Sequence, residues 1–421
     1  MQYVRMESET PCGLHVLCYL IFLGTLEWGV VIPTLWPLLQ SQGAPETFFG
    51  IVIGTFSLTR VICQPLVGVL GDSYSLKGLL SCCVFINTVG GVLYALAPTP
   101  WALLLARVVC GVGASGTPLL FAWIARALPK EQGVSAQVRL QTARALGSFI
   151  GPFASITLRW FPERGIASQL NSAGWIIAAT NLSGLVCLLL FVSDPAIYER
   201  HEGASTTCGA RRRPSVWRSP VVWLCLFFQA DTALLLAVIE VVPPLVIAGQ
   251  FDLPPTATSL LFGFGCLGVL ISFGVVQQLS KLLTCRTLML IGIGITTLGV
   301  GLAWSSWTPG GSFFGFVVAW MIIAIPPAPF VRTPSRALYT SAVPGDAQGM
   351  MQGVTEAVFS FANFLGPVIG SAVVESGGTT GVLRLIAGIQ CVSILLFFVG
   401  FKHLGAKVST TDLFSSPDSR S

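Results

Sequence analysis

The sequence predicts an all-α membrane protein with twelve transmembrane helices arranged as two pseudo-symmetric six-helix bundles. Of its 421 residues, 53% are hydrophobic and only 10% are charged, whereas soluble globular proteins carry roughly 25% charged residues. Long uncharged runs recur along the chain, and related motifs recur in its two halves. The charged residues are too few to cover a soluble core, which excludes a soluble enzyme.

Charge and cysteine usage exclude further classes. The net charge of +5 is small and dispersed, so no nucleic-acid partner is expected. The twelve cysteines are scattered and form no Cys-x-x-Cys pair, and His15, His201 and His403 lie far apart. The sequence therefore indicates no disulfide framework, metal site or cofactor. It also contains no nucleophile–base constellation, which makes a membrane enzyme the least favoured class.

The number of spans follows from the uncharged runs, because a spanning helix needs about 20 mostly apolar residues. Between Lys77 and Arg107 lie 29 uncharged residues, enough for one helix. Between Arg286 and Arg332 lie 45, which the Pro-Gly-Gly turn at 309–311 divides into two helices. The same reading along the chain predicts spans near 12–40, 47–70, 78–97, 101–126, 136–159, 173–193, 219–248, 257–280, 286–305, 312–339, 348–373 and 381–401.

The distribution of Lys and Arg predicts the orientation of the spans. Lys77, Lys130, Lys281, Lys402 and the arginines at 211–213 all fall in loops on one side, which is therefore the cytosolic side. Both termini then lie in the cytosol. The predicted organisation is a cytosolic tail at 1–11, a first bundle at 12–193, a basic cytosolic linker at 194–218, a second bundle at 219–401 and a cytosolic tail at 402–421.

An internal repeat supports two related bundles. Gly-Pro occurs in FIGPFAS (149–155) and in FLGPVIG (364–370), 215 residues apart. GAPETFFGIVIG (43–54) parallels DLPPTATSLLFG (252–263) at an offset of 209. Two pairs at similar offsets, on either side of a basic linker, predict a six-plus-six duplication. Parallel six-helix repeats are a recurring transporter plan, with the substrate site near the bilayer midplane.

The loop after the second span carries the first family resemblance. GVLGDSYSLKGLL (68–80) resembles the signature loop of the major facilitator superfamily, with matches at Gly68, Asp72 and Lys77. The basic residues that this signature carries between Asp72 and Lys77 are absent here, so Lys77 is the basic residue of the signature that remains. The resemblance implies a cytosolic gate formed by Gly68, Asp72 and Lys77, to which we add Glu356.

Two further motifs extend the resemblance over nearly the whole chain. LLARVVCGVGAS (104–115) is similar to the fourth-span pattern of the superfamily, and ALGSFIGPFAS (145–155) is similar to its fifth-span motif. These motifs imply close helix packing, and the Gly-Pro pair of the eleventh span repeats the second of them. The helix-packing candidates are Gly111, Gly113, Gly147, Gly151, Pro152, Gly366 and Pro367.

Four segments resemble one branch of the superfamily. PTLWPLL (33–39), SQLNSAGWI (168–176), VIEVVPPL (238–245) and the stretch 343–367 are similar to the lysosomal branch whose human member is linked to neuronal ceroid lipofuscinosis, with the vacuolar phosphate transporters as relatives. The resemblance implies an endolysosomal or vacuolar membrane in preference to the plasma membrane.

Acidic residues inside the predicted spans are candidates for proton coupling, because a charge at a helix centre costs about 2.5–3.5 kcal/mol on insertion. They are Glu27 in the first span and Asp231 and Glu240 in the seventh. Asp231 and Glu240 are nine residues apart, which places them on opposite faces of a straight helix, although Pro243-Pro244 is expected to break this one. We favour Glu27 and Glu240 as proton carriers, with Asp231 paired to an arginine.

Basic residues inside the spans are candidates for lining a substrate cavity. They are Arg60, Arg107 and Arg144, and they favour an anionic or zwitterionic solute. Two other interpretations remain open: Arg107 can bond backbone carbonyls, and Glu27 can form a static ion pair with Arg60 or Arg107. For Glu356, a pair with Arg336 or Arg332 on the cytosolic side is favoured.

These features together predict a monomeric secondary transporter that moves a small solute across the lipid bilayer by alternating access, coupled to protons. The cavity is expected to be lined by spans 1, 4, 7 and 10. The principal alternative is an anion-conducting channel or uniporter on the same scaffold, for which the three arginines would face one pore without acidic partners. A scaffold or receptor without transport is less favoured, because it has little need of buried charges.

Overall fold

The structure is a computed structural model. It describes residues 2–127, 130–162, 165, 168–194, 217, 219–307, 310–343 and 348–402. The regular elements in these ranges are helices, and the fold class predicted from the sequence is confirmed. Most of the predicted linker at 194–218 and of the C-terminal tail lies outside the described residues. Glu163 and Arg164, in the loop after the fifth span, lie outside them as well.

The chain forms two compact units, each with its own core. Unit 1 comprises Met1–Cys208 together with Pro254–Gly263. One apolar cluster joins residues of six helices around Leu17, Leu119 and Leu140, which are almost fully buried. The helices of unit 1 are α1 (Gln2–Ser41), α2 (Glu46–Ser73), α3 (Leu76–Ala95), α4 (Pro100–Gly113), α5 (Thr117–Ala127), α6 (Lys130–Ile156) and α7 (Ser172–Phe191).

Unit 2 comprises Gly209–Leu253 and Phe264–Ser421. Its core is more aromatic, with Phe228 and Phe397 in edge-to-face contact at 6.3 Å between ring centroids. The helices here are α8 (Pro220–Gly249), α9 (Pro255–Leu279, of which the first residues group with unit 1), α10 (Cys285–Ser306), α11 (Phe313–Ala324), α12 (Thr333–Ala342) and α13 (Gln348–Gly400).

Ten helices in the described part of the chain are long and apolar enough to cross a membrane. One of them, Val354–Gly400, has 47 residues and bends at Gly378, whose φ of 57° and ψ of −159° suit a residue without a Cβ. It therefore contains the predicted eleventh and twelfth spans. The predicted fifth span corresponds to α6, which is less apolar because it includes Lys130, Arg139 and Arg144.

The fourth and tenth spans are each interrupted. In unit 1, a short 3₁₀ segment at Ala114–Gly116 separates α4 from α5. In unit 2, a π-helical segment at Pro327–Arg332 separates α11 from α12. Interrupted helices at corresponding positions of two repeats are typical of the segments that line transporter binding sites.

Candidate functional site

A buried polar cluster lies inside unit 1 and joins four of its helices. Glu27 of α1 and Arg107 of α4 are each only 3% exposed, and their nearest charged atoms, Arg107 Nη1 and Glu27 Oε1, are 3.7 Å apart. Asn87 of α3 donates from Nδ2 to Glu27 Oε2 at 2.9 Å and to Oδ1 of Asn181, on α7, at 3.0 Å. The open alternative of a Glu27–Arg107 ion pair therefore has a direct geometric basis.

Close helix contacts hold this cluster together. Gly113 of α4 lies directly against the backbone of Asn87, where a Cβ atom would collide with the Asn87 amide. Gly90 of α3 also lies against Cys110 of α4, so that the two helices are in close contact over about one turn. Asn181 is anchored in turn by a 2.9 Å bond from its Nδ2 to the Ile177 carbonyl.

Several polar atoms of the cluster have no hydrogen-bond partner within the described part of the chain. They are Nε and Nη1 of Arg107, Oε1 of Glu27, Oδ1 of Asn87 and the hydroxyl of Tyr94. Buried polar groups in native proteins are nearly always bonded to protein or ordered water. Donors and acceptors of this cluster are therefore available to a bound water molecule or a polar group of a solute.

The three predicted cavity arginines occupy different surroundings. Arg107 and Arg60 both lie over the ring of Phe56 on α2, at 4.3 Å and 5.7 Å from its centroid, so one aromatic ring brings them together. Arg144 lies on α6, where its backbone carbonyl accepts a 3.0 Å bond from the hydroxyl of Thr25. Sequence reasoning missed Phe56, Asn87, Tyr94 and Asn181, because a search for charges does not detect aromatic or amide side chains.

The two acids of α8 face different neighbours. Asp231 accepts a 2.6 Å hydrogen bond from Ser393 of α13. The expected pairing of Asp231 with an arginine is not found among the described residues, where Ser393 is its bonded partner. Glu240 lies close enough to Cys266 of α9 to act on it electrostatically, and no hydrogen bond or ion pair of Glu240 is found in the described ranges.

Helix α8 continues through Pro243-Pro244 instead of breaking there. A proline lacks the N–H that would bond the carbonyl four residues earlier, so Pro243 deprives the Ile239 carbonyl of its helical donor. The indole Nε1 of Trp320 on α11 donates to this carbonyl at 3.2 Å. The tryptophan thus replaces the missing donor immediately next to Glu240.

The predicted gate residues do not form one group in the described structure. The side chain of Asp72 lies outside the described residues, and the Cβ direction of Gly68 is open, whereas the neighbouring Gly71 packs against Leu119. Lys77 donates from its backbone N–H to Asp194 Oδ1 at 2.8 Å and from Nζ to the Leu189 carbonyl at 2.9 Å.

The fourth predicted gate residue, Glu356, pairs with Arg336 at 3.0 Å. This is the partner that the sequence interpretation named first. Asp194 was missed; it supports the Ser75 N-cap of α3 by accepting from the Lys77 N–H at 2.8 Å and from the Ser75 hydroxyl at 2.5 Å. An acid just before a helix in sequence is a recognisable cap, but Asp194 is distant in sequence from α3.

The packing candidates lie at helix contacts that are similar in the two units. In unit 1, a Cβ on Gly151 would lie 2.7 Å from the Leu26 carbonyl of α1, and Gly29 of α1 lies against Pro152. In unit 2, Gly366 lies against Ala237 of α8, and Pro367 accepts a 2.8 Å bond from Ser371. Gly147 lies against Phe22 and Thr25, and Gly111 against Phe56 and Thr59.

Multiple apolar spans, two interrupted helices and ionisable groups buried between helices define the chain as a multi-pass membrane transporter rather than an enzyme. The sequence model of the Major Facilitator Superfamily matches residues 17–325 and 230–413. The chain belongs to the major facilitator superfamily, which the sequence motifs had indicated.

Relatives show how far the likeness extends. The quinolone resistance protein NorA of Staphylococcus aureus is 23% identical over 95% of this chain and 99% of its own length. The major facilitator superfamily domain-containing protein 8 of Xenopus laevis is 27% identical, but over only 37% of this chain and 32% of its own length. A bacterial homolog of the human lysosomal transporter Spinster has the same fold, with a TM-score of 0.75, 14% identity and coverage of 93% of this chain and 96% of that chain.

Proposed function

We propose that this protein is a secondary active transporter that moves a small anionic or zwitterionic solute by alternating access, with protons as the coupling ion. The observation that carries the proposal is the buried Glu27–Arg107 cluster with its unsatisfied donors. Membership of the superfamily supports transport. The solute and its coupling are inferred from the chemistry of the cluster.

The charge of the solute follows from Arg107. Its guanidinium carries five N–H donors, and neither Nε nor Nη1 has a hydrogen-bond partner within the described ranges. A solute carboxylate or phosphate would accept from these donors in a bidentate arrangement. Arg60 and Arg144 are proposed to contribute positive potential to the same solute, and Arg60 shares Phe56 with Arg107.

Coupling follows from competition for one cation. An anionic solute that binds Arg107 must displace Glu27, whose oxygen is only 3.7 Å from Arg107 Nη1. Protonation of Glu27 removes the competing charge, so binding of the proton and binding of the solute favour each other. Glu240 is proposed as a second proton carrier, since it is an acid within a spanning helix and follows Ile239, whose carbonyl takes a donor from Trp320.

The channel or uniporter alternative is less well supported. It needs arginines without acidic partners along one pore, whereas Arg107 has Glu27 within 3.7 Å. We also propose the endolysosomal or vacuolar membrane as the location, on the resemblance of the four segments given above. Cytosolic termini, a monomeric state and the bundle boundaries at 12–193 and 219–401 remain proposals from the distribution of charge and apolar runs.

The test begins by identifying a solute. Metabolites of lysosomes with and without the protein are compared, and the anionic or zwitterionic compound that changes most is used for uptake into proteoliposomes with an imposed pH gradient. We expect Glu27→Gln to abolish accumulation driven by the pH gradient while keeping counterflow of solute, because glutamine imitates the protonated acid. Arg107→Ala is expected to abolish both activities.

A matched control is Glu375→Gln, which makes the same change at an exposed carboxyl of α13 and should keep both activities. Full gradient-driven accumulation by Glu27→Gln would refute the role of Glu27. Unitary currents in planar bilayers would refute the carrier mechanism altogether, since a carrier that changes conformation once per solute cannot sustain them.

A further inference from the structure

Unit 2 contains a small pocket of its own. It has room for about one water molecule, and its wall comes from helices α8, α10 and α13 and from the π-helical segment. This size excludes an organic solute. Its polar lining consists of Asp231, Thr232, Thr296, Gln390 and Ser393.

Oxygen atoms dominate the chemistry of this pocket. Asp231 contributes a carboxylate that accepts one hydrogen bond, from Ser393. The Thr296 hydroxyl already donates its proton to the Gly292 carbonyl at 2.9 Å, so only its lone pairs remain free. Gln390 is 5% exposed, and its Oε1 has no hydrogen-bond partner among the residues described. A buried acceptor without a donor requires a cation, a proton or water next to it.

The segment that leads into the pocket wall has backbone carbonyls without helical donors. Helix α11 ends at Ala324, and Pro326 and Pro327 follow. Because prolines have no N–H, the carbonyls of Ile322 and Ile323 lack their usual helical donors. The C-terminal end of a helix carries a partial negative charge, and Pro327 itself lines the pocket. Interrupted helix ends of this kind coordinate coupling cations in other transporter folds.

The internal repeat relates two neutral residues of the pocket to the cluster of unit 1. Thr296 and Gln390 each lie 209 residues after a member of the unit 1 cluster, Asn87 and Asn181 respectively. In unit 1 the acid Glu27 has a cationic side chain, that of Arg107, beside it. In unit 2 no cationic side chain of the described residues acts on Asp231.

Arg332 is the last residue of the π-helical segment, and its side chain contacts other residues. Its Nε donates to Gln229 at 3.3 Å, and its guanidinium lies 3.6 Å from the centroid of the Phe359 ring. Gln229 and Asp231 are two residues apart on α8 and therefore point in different directions. The carboxylate of Asp231 is thus left without a neutralising side chain in the described structure.

We propose that the Asp231 pocket binds one Na⁺ ion, which supplies the positive charge that Arg107 supplies to Glu27 in unit 1. A single carboxylate with neutral hydroxyl and amide oxygens suits a monovalent ion, whereas Ca²⁺ takes six to eight oxygen ligands and Mg²⁺ requires a near-octahedral set. The ligands are Asp231, Thr296, Gln390 and Ser393. This site goes beyond the proposed function and does not depend on the identity of the solute.

The test uses the full-length protein in lipid nanodiscs at pH 8, where protons compete least. Binding of ²²Na⁺ is measured together with the midpoint of thermal unfolding, with choline chloride replacing NaCl at constant ionic strength. We expect saturable ²²Na⁺ binding, a rise of the midpoint with Na⁺, and loss of both in Asp231→Asn. Thr296→Val, which removes one ligand at constant shape, should weaken Na⁺ binding about tenfold, equivalent to about 1.4 kcal/mol.

Thr297→Val is the matched control, because Thr297 is the next residue on α10, is exposed, and bonds the Ile293 carbonyl instead of lining the pocket. It should bind Na⁺ like the unmodified protein. If Asp231→Asn does not fold, the Thr296→Val and Thr297→Val pair still decides. The proposal is overturned if ²²Na⁺ does not bind, if K⁺ competes equally, or if only pH shifts the midpoint. None of these measurements involves transport, so they fail or succeed independently of the proposed function.

Discussion

The acids of the two units are built into surroundings of opposite kinds. Glu27 in unit 1 lies with an arginine and two asparagines on four helices, and it is almost fully buried. Asp231 in unit 2 lies on a small pocket with hydroxyl and amide neighbours and has no cationic partner among the described residues. The cluster of unit 1 is internally neutralised, whereas the pocket of unit 2 carries an uncompensated negative charge.

This difference shows how a duplicated scaffold can diverge in charge while it keeps its helix packing. The Gly-Pro contacts of α6 with α1 and of α13 with α8 involve the same residue types in both units. Positions 209 residues apart also line both polar sites. The charged residues of the two sites differ, although neutral residues at these related positions line both of them.

The largest expected effect comes from breaking the neutralised cluster. Arg107→Ala leaves Glu27 buried without its cation, and removal of one partner of a buried ion pair typically costs about 3–5 kcal/mol. We expect a loss of this order in the free energy of unfolding, measured by denaturant titration in nanodiscs or mixed micelles.

The double variant Glu27→Gln with Arg107→Gln serves as the control, because it removes both charges and should recover most of the stability. A double variant that is as unstable as Arg107→Ala would mean that packing, and not charge, is the source of the loss. The contrast between the two units would then no longer rest on electrostatics.

The helix spans were predictable from sequence because their signal is local. About twenty apolar residues between charges identify a span wherever it lies, and the Gly-Pro motif repeats visibly at 151–152 and 366–367. Glu27, Asp231 and Arg107 were singled out for the same reason, since a charge inside an apolar run is conspicuous. The break between the predicted spans 348–373 and 381–401 matches the bend at Gly378, whereas the continuity of α8 through two prolines involves a tertiary contact, the Trp320 bond.

The partners of the charges were not predictable, because they come from other helices. Asn87 and Asn181 are neutral, and their distance from Glu27 depends on how α3 and α7 turn against α1. Ser393 reaches Asp231 from 162 residues away in sequence. The sequence signal for such partners is the presence of amide and hydroxyl residues inside spans at positions related by the repeat offset.

An intermediate loss of stability is expected from glycine substitutions that test whether the helix packing of the two units is equivalent. Gly151→Ala and Gly366→Ala each place a methyl group where a neighbouring helix already lies, against Leu26 and Ala237 respectively. Overpacking of this kind costs typically about 1–3 kcal/mol, and we expect similar losses of thermal stability in both variants.

Gly24→Ala and Gly388→Ala provide matched controls, because nothing lies within 4 Å of the added methyl group at either position. Alanine there should stabilise each helix slightly, by about 0.5–1 kcal/mol. If Gly151→Ala were much more damaging than Gly366→Ala, the contacts of the repeat would have diverged together with its charges.

The smallest effect is expected at an ion pair that looks stronger by distance alone. Arg336 and Glu356 are 3.0 Å apart, closer than the 3.7 Å of Arg107 and Glu27, but their side chains are 38% and 46% exposed. Solvent screens such a pair, so a double-mutant cycle with Arg336→Gln and Glu356→Gln should give a coupling energy of only about 0–1 kcal/mol that falls further in high salt. The same double-mutant cycle is measured for Arg107 and Glu27. A larger coupling energy for Arg336 and Glu356 would mean that distance, and not burial, sets the strength of these pairs. The distinction between the buried and the exposed charges would then be wrong.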